Sequence, residues 1–178
     1  MSELQLLRAD HAAAVLDFEI ANRAYFAASI SDRGDGYFEE FADRHDALLA
    51  DQRAGRRACY VLVADDGAVL GRFNLTFVAE GVAELGYRVA QQAAGQGVAS
   101  ATVRDVCRLA ASEHGLSTLK AATAEDNAAS QRVLLKAGFR PVGPAGPEDL
   151  GGKTGTWYRR DIAAGPDRDL PGRRDSRR

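Results

Sequence analysis

Two glycines, Gly95 and Gly97, stand between an extended apolar run and a long amphipathic segment. Glycine lets the backbone turn sharply there and lets a ligand approach the main chain closely. The first N–H groups of a helix lack partners within it, and the helix dipole gives them partial positive charge. A strand, a glycine turn and a helix N-terminus are together typical of a phosphate or pyrophosphate site. Gly-x-Gly also occurs in turns that bind nothing, so the motif alone leaves both interpretations open.

A second polar motif, Asn127-x-x-Ser130, stands at the start of another predicted helix. Asn127 lies where a predicted strand gives way to that helix, which is the natural position of an N-cap. Ser130 lies about one helical turn further on and on the same face. The helix is predicted to end at Gly138 in a left-handed cap. A capped helix explains Asn127 and Gly138 but gives no reason for Ser130.

The elements that position these motifs follow from periodicity and turn signals. Asp10 is the predicted cap of the first helix, and Asp66-Gly67 between two apolar runs predicts a hairpin. The order of strand, two helices, three meander strands and then mixed helices and strands predicts a mixed sheet with helices on both faces. Predicted strands cover residues 4–8, 59–63, 69–78, 82–89, 118–123, 139–142 and 156–160, and predicted helices cover 12–28, 37–52, 97–113 and 127–137.

Composition narrows the class of protein. The chain has 178 residues and a net charge of -2, which favours one domain and disfavours a nucleic-acid partner. Cys59 and Cys107 lie within predicted elements, so we expect buried free thiols in a reduced compartment. His45 shares an apolar helix face, which favours a structural role. No apolar run could span a bilayer and no signal peptide is visible, so the chain is expected to be cytoplasmic. The arginine-rich residues 163–178 are expected to be a disordered tail.

Taken together, the two motifs resemble the GNAT acetyltransferase superfamily. The similar stretches are Gly95-Gln96-Gly97-Val98-Ala99, then Asn127-x-x-Ser130, then Lys136-Ala137-Gly138-Phe139, with the strand 83–89 before them. Residues 18–23 and 31–35 resemble the RimJ/RimL branch of N-terminal alanine acetyltransferases. The resemblance covers about residues 3–160 and implies a GNAT domain over 1–162, of α/β (α+β) class with a mostly antiparallel central sheet. The chain departs from the family pattern at Ala94, where Gln or Arg is usual; Gln91 or Gln92 is a candidate substitute.

The resemblance implies that acetyl-CoA is the cosubstrate, that a primary amine is the acceptor and that no metal is needed. It places the pyrophosphate on the N–H groups of residues 95–100 and the pantetheine arm beside residues 87–89, where adjacent strands splay apart. Asn127 is expected to hold the pantetheine. The implied cofactor-binding residues are Tyr87, Arg88, Val89, Gly95, Gln96, Gly97, Val98, Ala99, Ser100, Asn127 and Ser130.

The resemblance also implies direct attack of a neutral amine on the thioester. Ser130 is the candidate donor to the CoA sulfur, and Glu84 is the candidate base, acting through water; an exposed strand carboxylate is the alternative reading of Glu84. Tyr87 and Tyr158 are reserve candidates for the acid. The acceptor site is expected to be lined by Glu19, Asn22, Tyr25, Phe26 and Asp35. For Glu19 and Asp35, charge on a solvated helix face is the competing explanation.

The favoured function is therefore acetyl transfer from acetyl-CoA to a protein or peptide N-terminal α-amine. Two alternatives stay open. One is acetylation of a small amine such as an antibiotic or polyamine, and the other is a catalytically silent sensor that binds acyl-CoA. No membrane partner is expected, and the chain is expected to act as a monomer or homodimer.

Overall fold

Residues 1–163 are the part of the chain that the structure, a computed structural model, describes. Apart from Ala163, the predicted tail lies outside these residues. The strands, in chain order, are β1 (Ser2–Leu6), β2 (Arg57–Ala64), β3 (Val69–Ala79), β4 (Val82–Val89), β5 (Thr118–Ala124), β6 (Arg140–Ala145) and β7 (Gly155–Asp161). The helices are α1 (Ala12–Ala21), α2 (Arg23–Ala27), α3 (Asp35–Glu39), α4 (Phe41–Arg53), α5 (Val98–His114) and α6 (Ala128–Lys136), with short 3-10 turns at Ala9–His11 and Gln91–Ala93.

The seven strands form one sheet in the order β1-β2-β3-β4-β5-β7-β6. Every neighbouring pair is antiparallel except β4 and β5, which run parallel. Their pairing extends only from Val82 to Glu84 on β4, opposite Thr118 to Lys120 on β5. Both strands continue beyond these residues, so the sheet opens into a gap at its centre. The predicted mixed, mostly antiparallel sheet is confirmed.

Helices cover both faces of the sheet, as predicted, and each face has its own apolar core. On one face α5 and α6 pack on β3, β4 and β5, with Phe73, Leu119 and Leu134 fully buried. On the other face α1 to α4 pack on β2 and β3 around Phe18 and Val61. Burying one such side chain contributes roughly 1.5 to 3 kcal/mol, so the two cores fix the sheet that carries the gap.

Two predicted helices are each interrupted. The first breaks at Asn22 (φ -105°, ψ 5°), between α1 and α2. The Asn22 amide donates to the Phe18 carbonyl oxygen at 2.9 Å and accepts from the Gln91 N–H at 2.9 Å. A side chain that satisfies distant backbone groups stabilises a break that periodicity does not reveal. The second predicted helix begins earlier, at Asp35, and breaks at Glu40.

The predicted cap at Asp10 is wrong, because Asp10 lies inside the 3-10 turn and its carboxylate pairs with Arg8 at 3.0 Å. The structural role of His45 is confirmed: the ring is buried and its Nε2 lies 3.0 Å from the Arg8 carbonyl oxygen. Cys59 and Cys107 are buried free thiols, as expected, and burial raises the pKa of each. Across residues 1–163, no helix is both long and apolar enough to cross a membrane.

Candidate active site

The gap between β4 and β5 opens into a cleft with two adjoining chambers. The α2 chamber, of about 130 Å³, is lined by Tyr25, Phe26, Ser29, Ile30, Tyr87, Arg88, Val89, Asn127, Ala129, Ser130 and Val133. The strand chamber, of about 160 Å³, is lined by Ser29, Ile30, Leu85, Gly86, Tyr87, Ala121, Ala122, Thr123, Ala124, Asn127, Ser130, Leu150 and Lys153. Tyr87, Asn127 and Ser130 line both chambers, so the structure brings three of the predicted site residues together.

The N-terminus of α5 follows β4 through a short turn, as the glycine motif predicts. Gly95 (φ 74°) and Gly97 (φ 76°) are both left-handed, and Gly97 is the residue before the first turn of α5. A Cβ atom at Gly97 would meet nothing within 4 Å. The backbone conformation, and not crowding, therefore requires glycine at this position. The N–H groups of the first turn are free of helical partners, which makes this end of α5 suited to a phosphate group.

The free edge of β4 continues this surface into the cleft. From Leu85 to Val89 the strand pairs with β3 on one side and, within the described residues, with no strand on the other. An extended ligand with amide groups could pair with that edge as a neighbouring strand would. Thr123, on the opposite wall, has a buried Oγ1 that lacks a hydrogen-bond partner in the described chain. An unpaired edge and an unsatisfied hydroxyl fit a long polar arm lying in the gap.

Tyr87 and Ser130 form a pair of hydroxyls in the cleft. The Tyr87 oxygen lies 2.9 Å from Ser130 Oγ, and the Tyr87 hydroxyl donates to the Ser130 carbonyl oxygen at 3.2 Å. The Tyr87 ring stacks on Phe73 with centroids 6.0 Å apart. Burial raises the pKa of Tyr87 to about 12. The phenol is therefore protonated at neutral pH and can donate a hydrogen bond to a negatively charged atom.

Asn127 has the predicted capping role. Its Oδ1 accepts from the Ser130 N–H at 3.1 Å, at the residue before α6. The cap fixes the first turn of α6 and with it the position of the Ser130 hydroxyl. Gly138 ends the helix with φ 86°, as predicted.

Two other predicted catalytic residues, Glu84 and Tyr158, are not part of the chamber lining. Glu84 is half-buried on β4 in register with Thr76 and Lys120, at the last pairing before the strands part. Tyr158 is buried in the core of the α5 face. Within the described chain, the lining of the two chambers includes neither Glu84 nor Tyr158.

The predicted acceptor residues divide into two groups. Tyr25 and Phe26 line the α2 chamber. Glu19, Asn22 and Asp35 line neither chamber. Asp35 is exposed and pairs with Arg23 at 2.8 Å, in agreement with the alternative of surface charge.

Glu19 is buried, so a solvated helix face is the wrong explanation for it. The side chain is 1% exposed. One carboxylate oxygen lies 2.6 Å from Arg72 Nη1 and the other lies 3.2 Å from Arg88 Nη1. Arg72 also donates to the Tyr37 hydroxyl at 3.1 Å. Both oxygens of Glu19 are held by guanidinium groups, so the carboxylate positions Arg88 at the wall of the cleft.

Sequence reasoning missed one wall of the cleft, which comes from the loop between β6 and β7. Lys153 Nζ donates to the Ser29 carbonyl oxygen at 3.1 Å and lies 2.8 Å from the Asp126 carboxylate. Ser31 Oγ donates to the Gly151 carbonyl oxygen at 3.0 Å. These contacts join the loop after α2 to a loop more than 100 residues later. No local sequence motif predicts such a long-range contact. The sequence does offer one signal, a lysine (Lys153) within a glycine-rich loop.

Comparison with known proteins identifies the family. The family model described as acetyltransferase (GNAT) domain matches residues 3–140. The chain belongs to the GNAT acetyltransferase family. The predicted family and enzyme class are thereby confirmed, and the open gap and the capped α6 are the parts of this GNAT domain that form the cleft.

Solved structures share the fold of this GNAT domain. The ribosomal-protein-S5-alanine acetyltransferase from Vibrio fischeri is 18% identical, with a TM-score of 0.82 over 90% of this chain and 93% of that one. RimJ from Mycobacterium smegmatis, in complex with CoA-disulfide, is 22% identical, with a TM-score of 0.80 over 90% and 81%. RimL, a ribosomal L7/L12 α-N-protein acetyltransferase in complex with CoA, is 19% identical, with a TM-score of 0.80 over 92% and 96%. The fold is the one that the RimJ/RimL resemblance predicts. No curated protein sequence matches the chain significantly.

Proposed function

We propose that this GNAT acetyltransferase transfers the acetyl group of acetyl-CoA to the N-terminal α-amine of a protein or peptide. The observation that carries the proposal is the pair formed by Tyr87 and Ser130 inside the gap, between the free edge of β4 and the N-terminus of α6. Structural neighbours support this choice of donor and acceptor: one is described as a ribosomal-protein-S5-alanine acetyltransferase, one as RimJ in complex with CoA-disulfide, and one as a ribosomal L7/L12 α-N-protein acetyltransferase in complex with CoA.

The backbone supplies most of the proposed binding site for acetyl-CoA. The N–H groups of residues 95–100 are assigned to the pyrophosphate, and the main chain of Tyr87, Arg88 and Val89 to the pantetheine arm. Because main-chain groups bind the anion, the absence of Gln or Arg at Ala94 weakens the site little. Asn127 and Ser130 line the cleft where the arm would end. Bound acetyl-CoA supplies an activated thioester carbonyl to the acceptor.

The residues around the gap are suited to aminolysis of a thioester. Ser130 is the proposed donor to the sulfur that leaves; in that arrangement its Oγ accepts across the 2.9 Å contact from the Tyr87 hydroxyl, which turns from the Ser130 carbonyl oxygen and is held protonated by its raised pKa. An N–H of the β4 edge is the proposed donor to the thioester oxygen, a role worth roughly 2.7 to 4 kcal/mol in other enzymes. Holding amine and thioester together in the cleft contributes further acceleration.

The amine must lose a proton before it attacks. Glu84 remains the proposed base, acting through water, because it is the half-buried β4 carboxylate at the point where the strands part. The chain is proposed to act as a monomer or a homodimer.

Release of free thiol from acetyl-CoA tests the proposal. The acceptor panel should contain peptides with a free N-terminal amine, the same peptides already acetylated at that amine, and small amines including a polyamine and an aminoglycoside. We expect turnover with the free peptides and none with their acetylated controls. Turnover restricted to the small amines would establish the small-molecule alternative. Acetyl-CoA binding in calorimetry without turnover on any acceptor would leave the sensor.

A further inference from the structure

We propose that the acceptor of this enzyme carries a carboxylate close to its reactive amine, as in a peptide with Asp or Glu among the residues after the N-terminal one. This inference rests on the proposed function and narrows its substrate class. The acidic residues that the sequence placed at the acceptor site, Glu19 and Asp35, line neither chamber, and the charged side chains that do line the cleft are cationic.

Arg88 and Lys153 are the charged residues in the lining. Arg88 contributes to the α2 chamber and Lys153 to the strand chamber. Among the described residues that line the two chambers, no Asp or Glu occurs. Each of these cations forms an ion pair with a carboxylate outside the lining, Arg88 with Glu19 and Lys153 with Asp126. A cleft of this kind disfavours an acceptor whose charge is only positive and favours one that also brings a negative charge.

Around Arg88, positive charges outnumber negative ones. Glu19 is shared between two guanidinium groups, those of Arg72 and Arg88, so one carboxylate faces two positive charges. The other ionic groups nearby do not change this excess: Arg23 and Arg33 contribute two positive charges, and Asp32 and Asp35, both paired with Arg23, contribute two negative ones. Burial, followed by the charge of Arg33, lowers the pKa of Arg88. The guanidinium stays protonated, and an added anion would be stabilised beside it.

The Arg88 side chain lies on the acceptor side of the sheet. Its guanidinium carbon is 5.1 Å from the centroid of the Phe26 ring in α2, and its Nη1 contacts Glu19 in α1. The neighbouring Tyr87 and Val89 pack instead on the core beneath α5 and α6. The phosphate-binding end of α5 therefore lies on the opposite face from the Arg88 guanidinium. This geometry assigns the Arg88 side chain to the acceptor, while its main chain remains available to the pantetheine arm.

Arg88 and Lys153 both keep unused N–H groups that can donate hydrogen bonds to an incoming carboxylate. A guanidinium has five N–H donors, and Arg88 uses Nη1 for Glu19. The Lys153 ammonium has three donors, of which the Ser29 carbonyl and the Asp126 carboxylate each accept one. Ser29 and Ile30 line both chambers, so they connect the two cations along one continuous wall.

Three peptides with a free N-terminal serine test the inference, alike except for Glu, Gln or Lys at positions two to four. We expect kcat/KM to fall from the Glu to the Gln peptide by about tenfold, as for one charge-assisted hydrogen bond, and to fall further for the Lys peptide. Equal values for the Glu and Gln peptides, or a preference for Lys, would overturn the inference and leave the proposed function intact. Turnover on none of the three would overturn both.

Three variants locate the preference. Arg88→Gln should reduce the Glu-to-Gln ratio to near one, raise the KM for the Glu peptide and leave the KM for acetyl-CoA within about twofold. Lys153→Gln should reduce the ratio partly, and it serves as the test if Arg88→Gln does not fold. Arg53→Gln, an exposed arginine on α4, is the matched control and should keep the wild-type ratio. If Arg88→Gln instead raises the KM for acetyl-CoA, the side chain belongs to the cofactor and the assignment is wrong.

Discussion

The two ends of the proposed active site are built from different chemical groups. At the cofactor end, the groups proposed to bind are main-chain N–H groups at the start of α5 and along the edge of β4, shaped by Gly97 and the unpaired strand. At the end proposed to bind the acceptor, the walls are side chains from distant segments, held by ion pairs such as those of Glu19 with Arg88 and of Asp126 with Lys153.

This difference matches the two substrates of the proposed reaction, because the acyl donor stays the same and the acceptor can vary. A main-chain site depends on backbone conformation, so most side-chain substitutions leave it intact. A site of paired charges changes its preference when one partner changes. One end can therefore keep the same acyl donor while the other is adjusted to a particular acceptor.

The largest expected effect comes from breaking the cofactor end at Gly97. Gly97→Glu places a non-glycine residue at φ 76° and a negative charge beside the bound phosphates. We expect CoA affinity in calorimetry to fall by about a hundredfold, near the upper end of the range for loss of one hydrogen bond to a charged group. Gly115→Glu is the matched control, since Gly115 is also left-handed (φ 62°) but lies at the other end of α5. Unchanged CoA affinity in Gly97→Glu would remove the pyrophosphate from this turn.

At the proposed acceptor end, the next largest effect is expected on the free energy of unfolding. Glu19→Ala leaves Arg72 and Arg88 without their shared carboxylate, and losing one partner of a buried pair costs about 3 to 5 kcal/mol of unfolding free energy. Asp35→Asn, which breaks an exposed ion pair with Arg23, should cost less than about 1 kcal/mol. Urea unfolding of both variants measures the contrast. Equal, small losses would show that Glu19 is not essential to the packing of α1 on the sheet.

Where the two ends meet, the hydroxyl pair should control turnover. Ser130→Ala should lower kcat by roughly ten- to a hundredfold, the range for loss of one hydrogen bond to a charged atom, while CoA affinity is largely kept because Asn127 still caps α6. Tyr87→Phe should slow the reaction too. The double variant should lose less than the sum of the single losses, because the two hydroxyls share one contact. A wild-type rate in Ser130→Ala would remove Ser130 from the mechanism.

The smallest expected effect is at Thr123, whose Oγ1 is buried without a partner in the described chain. Thr123→Val keeps the shape of the side chain and removes the unsatisfied hydroxyl, so the ligand-free protein should be as stable as wild type or more stable by up to about 1 kcal/mol. CoA affinity should fall by a few fold if the pantetheine arm satisfies this hydroxyl. Unchanged affinity would indicate that the arm does not reach Thr123.

The same contrast explains which features the sequence could predict. Gly97 and Asn127 act on backbone groups within a few residues of themselves, so a local sequence motif is sufficient to predict the role of each. The break at Asn22 depends on the Gln91 N–H, and the burial of Glu19 depends on arginines in β3 and β4. The position of Lys153 depends on Ser29 and Asp126. Periodicity carries no information about such distant partners, so at the proposed acceptor end the sequence predicted Tyr25 and Phe26 but not the contacts of Glu19 and Lys153.

The short parallel pairing of β4 with β5, from Val82 to Glu84, also bears on inhibition by the product of the proposed reaction. A pantetheine arm bound in the gap as proposed would pair with the β4 edge as an added strand, through hydrogen bonds that do not involve the acyl group. Free CoA would then bind almost as tightly as acetyl-CoA and compete for the same site after each turnover. When the two together saturate the enzyme, the rate would follow the ratio of acetyl-CoA to free CoA.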